Sequence, residues 1–222
     1  MNARPRPRAI SWRPHKFEKI IDRMRFRSWF DGKELTSDWA SANFPMWRRV
    51  LTPLRNEPLR ILEIGSWEGR STIFFLSFFP NATITCIDTF GGSEEAEHLE
   101  ILSQNPDLEG RFDRNVAAFG ARVEKRRGPS QTVLAELLRE KRQYDLAYID
   151  GDHHRDAVMA DTLKVWPMVV PGGVVIWDDY EFGRHFEDAE RPQPAIDAFL
   201  RDHAWQYRKL ARTYQMAVEK LA

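Results

Sequence analysis

From residue 59 onward, short apolar runs rich in β-branched residues alternate with segments whose apolar positions recur at helical spacing. Residues 59–64 read as a buried strand, and 70–79 as a helix stopped by Pro80-Asn81. A second strand is expected over 83–88. Gly91-Gly92 then opens a long polar stretch with helical patches near 94–103 and 108–119. Residues 122–127 read as a third strand ending at Gly128-Pro129-Ser130, with Ser130 as the N-cap of a helix over 131–141. Residues 144–150 form the fourth expected strand, and 156–169 a helix with Val158, Val165, Trp166 and Val169 on one face. Pro171-Gly172-Gly173 is expected to turn the chain into a fifth strand over 174–177. A helix over 195–203 and a closing antiparallel pair, 205–210 and 214–219, complete the series. Alternation of this kind predicts an α/β fold, with a mostly parallel sheet covered by helices on both faces. The closing pair makes it a Rossmann-like sheet of seven strands with an antiparallel C-terminal edge hairpin.

Upstream of residue 59 the pattern changes. Residues 1–30 carry nine Lys/Arg against only Glu18 and Asp22, and a helix is expected from about residue 15 to 30. Trp12, Phe17, Phe26, Trp29, Phe30, Trp39, Phe44 and Trp47 give this region more aromatic surface than a disordered tail carries. The chain therefore divides into a basic, aromatic-rich N-terminal arm or helical lid over 1–55 and a main domain over 56–222. Two readings of the arm stay open. It is a solvated basic face, or it attracts an anionic substrate or folds over the active site; much of it is expected to pack on the core, as a lid or at the subunit contact of a homodimer.

Bulk properties narrow the class. A chain of 222 residues is long enough to bury a real core, as one α/β domain with a modest extension. The 33 basic and 33 acidic residues balance, so no global field recruits nucleic acid or a membrane. The single cysteine, Cys86, excludes an intramolecular disulfide and suits a reducing compartment. No apolar run approaches the roughly 20 residues of a spanning helix, and no signal-peptide core follows the Arg-Pro start. A cytoplasmic protein is expected.

Candidate chemistry gathers at the carboxyl ends of the expected strands, where ligands bind in open α/β sheets. Strand one ends in Glu63-Ile64-Gly65-Ser66-Trp67-Glu68-Gly69. A dinucleotide fingerprint does not fit, because Trp67 and Arg70 occupy its second and third glycine places. An acidic residue and two glycines at a strand-to-helix switch still suit an adenosine-bearing ligand. Strand two ends in Asp88-Thr89-Phe90, about 20 residues on, where a carboxylate accepts ribose hydroxyls. Ser130-Gln131 is placed to meet an adenine edge. Asp150, Asp178 and Asp179 converge from strands four and five. Unpaired carboxylates so close repel one another, and a hard divalent cation resolves that repulsion, Mg²⁺ best of all. The alternative is that Asp178-Asp179 caps a turn and pairs with Arg155, Arg184 or Arg191. His153 is placed to face the pocket as a general base, whereas His154 starts the next helix.

Taken in order, Glu63-x-Gly65-x-x-x-Gly69, Ile87-Asp88-Thr89-Phe90, Gly128-Pro129-Ser130, Tyr144 to Gly151 and Pro171 to Tyr180 resemble the class I S-adenosylmethionine (SAM) dependent methyltransferases. They are most similar to the small bacterial group filed as methyltransferase family 24, related to catechol-type and macrolide-sugar O-methyltransferases. The resemblance implies the class I methyltransferase form of the fold. It implies that Glu63, Gly65, Ser66, Gly69 and Ser71 support the methionine end of SAM. Asp88 would hold the ribose, Thr89 and Phe90 the adenosine, and Ser130 the adenine edge. It further implies Asp150, Asp178 and Asp179 as metal ligands, the 28-residue interval from Asp150 to Asp178 agreeing with the catechol-type spacing. Those relatives use a Lys three residues beyond the metal Asp as base; here His153 stands at that offset.

The expected function is Mg²⁺-assisted, SAM-dependent O-methylation of a small hydroxylated molecule, with Asp150 and His153 in catalytic roles. The rivals are a metal-independent N- or C-methyltransferase and a non-catalytic SAM-binding or partner module. A redox enzyme on this scaffold finds no dinucleotide fingerprint, facial iron triad or haem motif. Beyond the basic arm, nothing in the sequence supports a nucleic-acid substrate.

Overall fold

The computed structural model describes residues 5–7, 9, 16–93 and 96–222. Seven strands form one sheet: β1 Arg60–Ile64, β2 Thr83–Asp88, β3 Val123–Arg127, β4 Tyr144–Ile149, β5 Val169–Trp177, β6 Tyr207–Arg212 and β7 Met216–Lys220. Their order is β3-β2-β1-β4-β5-β7-β6. Six strands run the same way, and β7 is reversed between β5 and β6. The order turns back between β1 and β4, the place where loops leaving a parallel sheet part to form a crevice.

Side chains alternate across a strand, so each strand feeds two cores. Ile61, Leu146, Val174, Ile176 and Ala217 face one way, where they meet helices α2 Phe44–Leu51, α3 Arg70–Phe78 and α5 Leu108–Val116. Leu62, Ala147, Val175, Trp177 and Val218 face the other way, toward α6 Ser130–Arg139, α7 Arg155–Val165 and α8 Gln193–Asp202. β4 is buried at every position, as expected of a strand covered on both faces.

In the described part of the arm, residues from Phe26 onward pack on the core, whereas Phe17 and Met24 in the first helix are each 71% exposed. Helix α1 Lys16–Phe26 runs into a short 3-10 turn, Arg27–Phe30. The Phe26 ring stacks on Trp29 at 4.5 Å and meets Phe44 and Phe74 edge-on. Trp47 lies against Phe74, Phe75 and Tyr148, and its Nε1 donates to Gln215 Oε1 at 2.6 Å. From Phe26 onward the aromatic residues therefore belong largely to the core of one face. Trp12 lies outside the described residues, as does residue 15, where the helix was expected to begin.

Three expectations are corrected. Ser130 is the first residue of α6 rather than its cap, and its neighbour Pro129 occupies the cap position with no side-chain bond. Pro171-Gly172-Gly173 does not precede β5 but lies inside it. Pairing jumps from Tyr144↔Val169 to Leu146↔Val174, so the extra residues bulge out, and proline's missing N–H is accommodated there. The helix expected to reach residue 119 ends at Val116 and continues as a 3-10 segment kinked at Gly120, whose φ is +54°. The polar stretch after Gly92 carries α4 Ala96–Gln104; residues 94 and 95, where it was expected to start, lie outside the described residues.

Candidate active site

Four backbone hydrogen bonds hold the loops at the carboxyl rim side by side. Gly65 N–H donates to the Ile87 carbonyl, Gly128 to Asp88, Asp150 to Ile64 and Asp178 to Ile149, each at 2.9 Å. The strand-end residues singled out in the sequence are thus brought to one edge of one sheet.

The glycine loop is shaped by contact with β4. Gly65 has φ +82°, and a Cβ there would fall 1.7 Å from the Asp150 carbonyl oxygen. Gly69, with φ +87°, occupies the cap position of α3. Beneath the loop Glu63 is fully buried, and its Oε2 accepts from Ser66 Oγ at 2.8 Å, from the Thr72 hydroxyl and from the Cys86 thiol at 3.3 Å. Burial raises the Glu63 pKa, opposed by hydrogen bonds from Ser71, Thr72 and Ser66. Glu63, Ser66 and Ser71 therefore form the footing of the loop.

Asp88 holds the loop from the next strand. Its Oδ2 accepts from the Trp67 N–H at 2.8 Å and its Oδ1 from the Phe90 N–H at 2.6 Å. Burial raises its pKa and the backbone donors oppose that shift. A carboxylate has about four lone-pair directions, so two amides leave room for a ligand's hydroxyls. Both donors sit at positive φ, Trp67 at +48° and Phe90 at +55°, conformations that Asp88 helps to hold. The Phe90 ring turns inward against Phe112 and is 8% exposed, so at the rim this residue offers mainly backbone. Thr89 is exposed, with Oγ1 accepting from Gly91 N–H at 3.2 Å.

On strands β4 and β5 the acidic residues separate into two environments. Asp150, His153 and Asp179 place one ligand atom each within 4.8 Å of one another. His153 Nε2 lies 2.9 Å from Asp179 Oδ2, and the imidazole rests against Phe182. Tyr214 adds its hydroxyl to Asp179. Asp178 points elsewhere: one oxygen receives the Tyr148 hydroxyl and the other the Asp179 N–H at 2.7 Å. The Tyr148 hydroxyl also lies 2.9 Å from Asp150 Oδ2, so it links the two carboxylates. The sharp turn at Asp179, φ +54°, sends consecutive aspartates in different directions. Burial, then repulsion by Asp178 and Asp179, pushes the Asp150 pKa well up; burial and Asp179 push Asp178 up.

The arginine-paired alternative does not survive. Arg155, Arg184 and Arg191 turn instead to Asp156, Glu181 and Asp188. Asp150 and Asp179, with no arginine paired to either among the described residues, and the His153 imidazole together suit a divalent cation in chemistry and spacing. His154 is exposed, at the start of α7, with Nδ1 2.6 Å from Asp152.

Several contributors escaped the sequence reading. Tyr148 was legible in principle, since it lies two residues before Asp150 and therefore on the same side of β4. Tyr214 comes from the β6–β7 turn, with no local pattern to mark it.

Methyltransferase family 24, described as a methyltransferase domain, matches residues 62–180, more than half of the chain. A mycinamicin VI 2''-O-methyltransferase of Micromonospora griseorubida is 28% identical over 163 residues, 67% of this chain and 36% of that protein. Among solved structures, the MycE methyltransferase of the mycinamycin pathway, in complex with Mg, S-adenosylhomocysteine (SAH) and mycinamycin VI, superposes with a TM-score of 0.60 at 20% identity. It covers 88% of this chain and 53% of its own. A putative caffeoyl-CoA O-methyltransferase from Staphylococcus aureus gives a TM-score of 0.60 at 14% identity over 92% of both chains. The chain spans about half the length, or less, of the mycinamicin relatives.

Proposed function

The chain belongs to the methyltransferase family whose domain model it matches, and from that premise we propose that it transfers a methyl group from SAM to a hydroxyl of a small molecule, assisted by a divalent cation. SAM would supply an electrophilic methyl on sulfur, and Mg²⁺ would lower the pKa of a substrate hydroxyl. The observation that carries this reading is the meeting of Asp150, His153 and Asp179 at the carboxyl ends of β4 and β5. Asp150 and Asp179 hold the cation, with Asp178 tied to Asp150 through Tyr148 as a supporting carboxylate.

His153 takes the proton of the substrate hydroxyl at Nε2, the nitrogen that meets Asp179 in the free protein. The glycine loop on Glu63, with Gly65, Ser66, Gly69 and Ser71, seats the methionine end. Asp88 accepts from the ribose, the backbone of Thr89 and Phe90 borders the adenosine, and Ser130 meets the adenine edge. Their joint role is to hold nucleophile and methyl in line, which supplies much of the rate. The arm before residue 56 serves as a clamp on the glycine loop. The relatives named above act on small molecules, and a hydroxylated small molecule suits a rim walled by Phe182 and Tyr214.

A second reading rests on the same 2.9 Å contact. With Asp179 orienting His153, the pair forms a base that needs no metal. Calorimetric titration of SAM into metal-stripped protein, repeated with Mg²⁺ and a catechol-like diol, separates the two. Micromolar SAM binding, with the diol engaging only when Mg²⁺ is added, supports metal-assisted O-methylation. Diol binding and turnover that persist in excess chelator favour the metal-free pair. Absence of SAM binding removes both.

A further inference from the structure

Gln131, in the first turn of α6, is held from α7 by two residues of opposite hydrogen-bonding character. Its Nε2 donates to Asp161 Oδ1, and its Oε1 accepts from the Lys164 ammonium. Asp161 is 2% exposed and also receives the Ser130 hydroxyl. The group lies at the rim. A Cβ on Gly151, the residue after Asp150, would stand 3.7 Å from Asp161 Oδ2, and Gly128, just before Ser130, is bonded to the Asp88 carbonyl.

The chemistry of the two partners leaves the amide one orientation. A carboxylate only accepts and an ammonium only donates. Turning the amide over would set Oε1 against the carboxylate and the NH₂ group against the ammonium. One N–H and one lone pair of Gln131 remain for a ligand, in a fixed order. Adenine offers an amino donor beside a ring-nitrogen acceptor, the pattern a glutamine amide satisfies with two hydrogen bonds. Hypoxanthine offers a carbonyl acceptor beside an N–H donor, which only the turned-over amide would match.

We propose that Asp161 and Lys164 are positioning residues that lock the Gln131 amide to read the adenine of the cofactor and to reject a deaminated base. The inference rests on the reading of the protein as a SAM binder. It adds α7 to the parts of the chain that recognise the cofactor, and it explains why a carboxylate is buried beneath a rim loop although burial raises its pKa. A tie between two helices would need no particular polarity; a base reader does.

The test uses the full chain and two ligands, SAH and its deaminated analogue S-inosylhomocysteine, with dissociation constants measured by calorimetry. The wild type should prefer the adenosyl form by roughly tenfold to a hundredfold. In the double variant Asp161→Asn, Lys164→Gln both partners donate and accept, so the amide is free to turn and the preference should fall to within about threefold. Gln131→Ala removes the reader and should erase the preference in the same way. It lies at a half-exposed helix start, so it decides the matter if the double variant fails to fold. Equal affinity of the wild type for both ligands overturns the proposal, as does a loss in the variants that lowers both affinities by one factor. Absence of SAH binding to the wild type overturns the cofactor reading, and the proposal with it. SAH binding with an unchanged ratio in the variants overturns the proposal alone.

Discussion

Thr36 donates both its backbone N–H and its hydroxyl to the carboxylate of Glu68, at 2.7 Å each, across 32 residues of chain. Glu68 belongs to the glycine loop, and Arg111 of α5 closes the buried cluster with Nε 2.9 Å from Glu68 Oε1. Nearby, Asn115 donates to the Glu34 and Glu68 carbonyls, and Arg70 Nε donates to the Ser37 carbonyl at 3.0 Å. The arm is thus fastened to the very loop that would seat the cofactor.

The two ends of this clamp should differ in cost. Thr36→Val removes one charge-assisted hydrogen bond and should lower unfolding free energy by about 1.5–3 kcal/mol. Glu68→Ala strands the buried Arg111 guanidinium and should cost about 3–5 kcal/mol. Denaturant midpoints at constant m-value measure both, and equal losses would show that the arm contact, not the buried pair, carries the energy.

Tyr148→Phe keeps a buried ring against Trp47 and Phe75 while removing the hydroxyl shared by Asp150 and Asp178. The fold should persist and Mg²⁺ affinity should weaken roughly tenfold to a hundredfold, as for other residues that orient metal ligands. Calorimetric titration with Mg²⁺ reads this directly. Unchanged affinity would detach Tyr148 from the cation site.

Cys86 is fully buried, and burial together with the neighbouring Glu63 pushes its thiol pKa well up. Because the thiolate is the reactive form, the native protein should resist a thiol reagent at neutral pH and react with it only on unfolding. Reaction at the rate of a free thiol in native buffer would contradict the packing around Glu63.

Two glycines with positive φ should respond differently to alanine. At Gly172, φ +80° with open space around it, the cost should be the left-handed strain alone, roughly 1–2 kcal/mol. At Gly65 the added Cβ collides with the backbone of Asp150, so Gly65→Ala must move β4's end or the loop. We expect a far lower melting temperature than for Gly172→Ala, together with lost SAH binding. Similar melting temperatures for the two variants would show that the loop yields freely.

Much of the frame could be read from the chain because its signals are local. Apolar β-branched runs, helical periodicity and the breaks at Pro80 and Gly128 mark strands and helices to within a few residues. Asp150, Asp178 and Asp179 stood out because polar residues closing an apolar strand are conspicuous. The inner structure of β5 was misplaced for the same local reason. Pro-Gly-Gly is a strong turn signal, and only pairing with β4 both before it at Val169 and after it at Val174 absorbs it as a bulge.

The sequence by itself determined the order of strands and helices and the set of polar residues at their ends, since these depend on side-chain period and on neighbours along the chain. Only the tertiary structure decided which atoms meet. The left-handed turn at Asp179 sends Asp178 to Tyr148 and Asp179 to His153, a division that adjacent identical residues cannot announce. Likewise Thr36 with Glu68, Gln131 with Asp161 and Trp47 with Gln215 are joined across 32, 30 and 168 residues. Such contacts come from the closing of the sheet and the seating of its helices, and no window along the chain contains both partners.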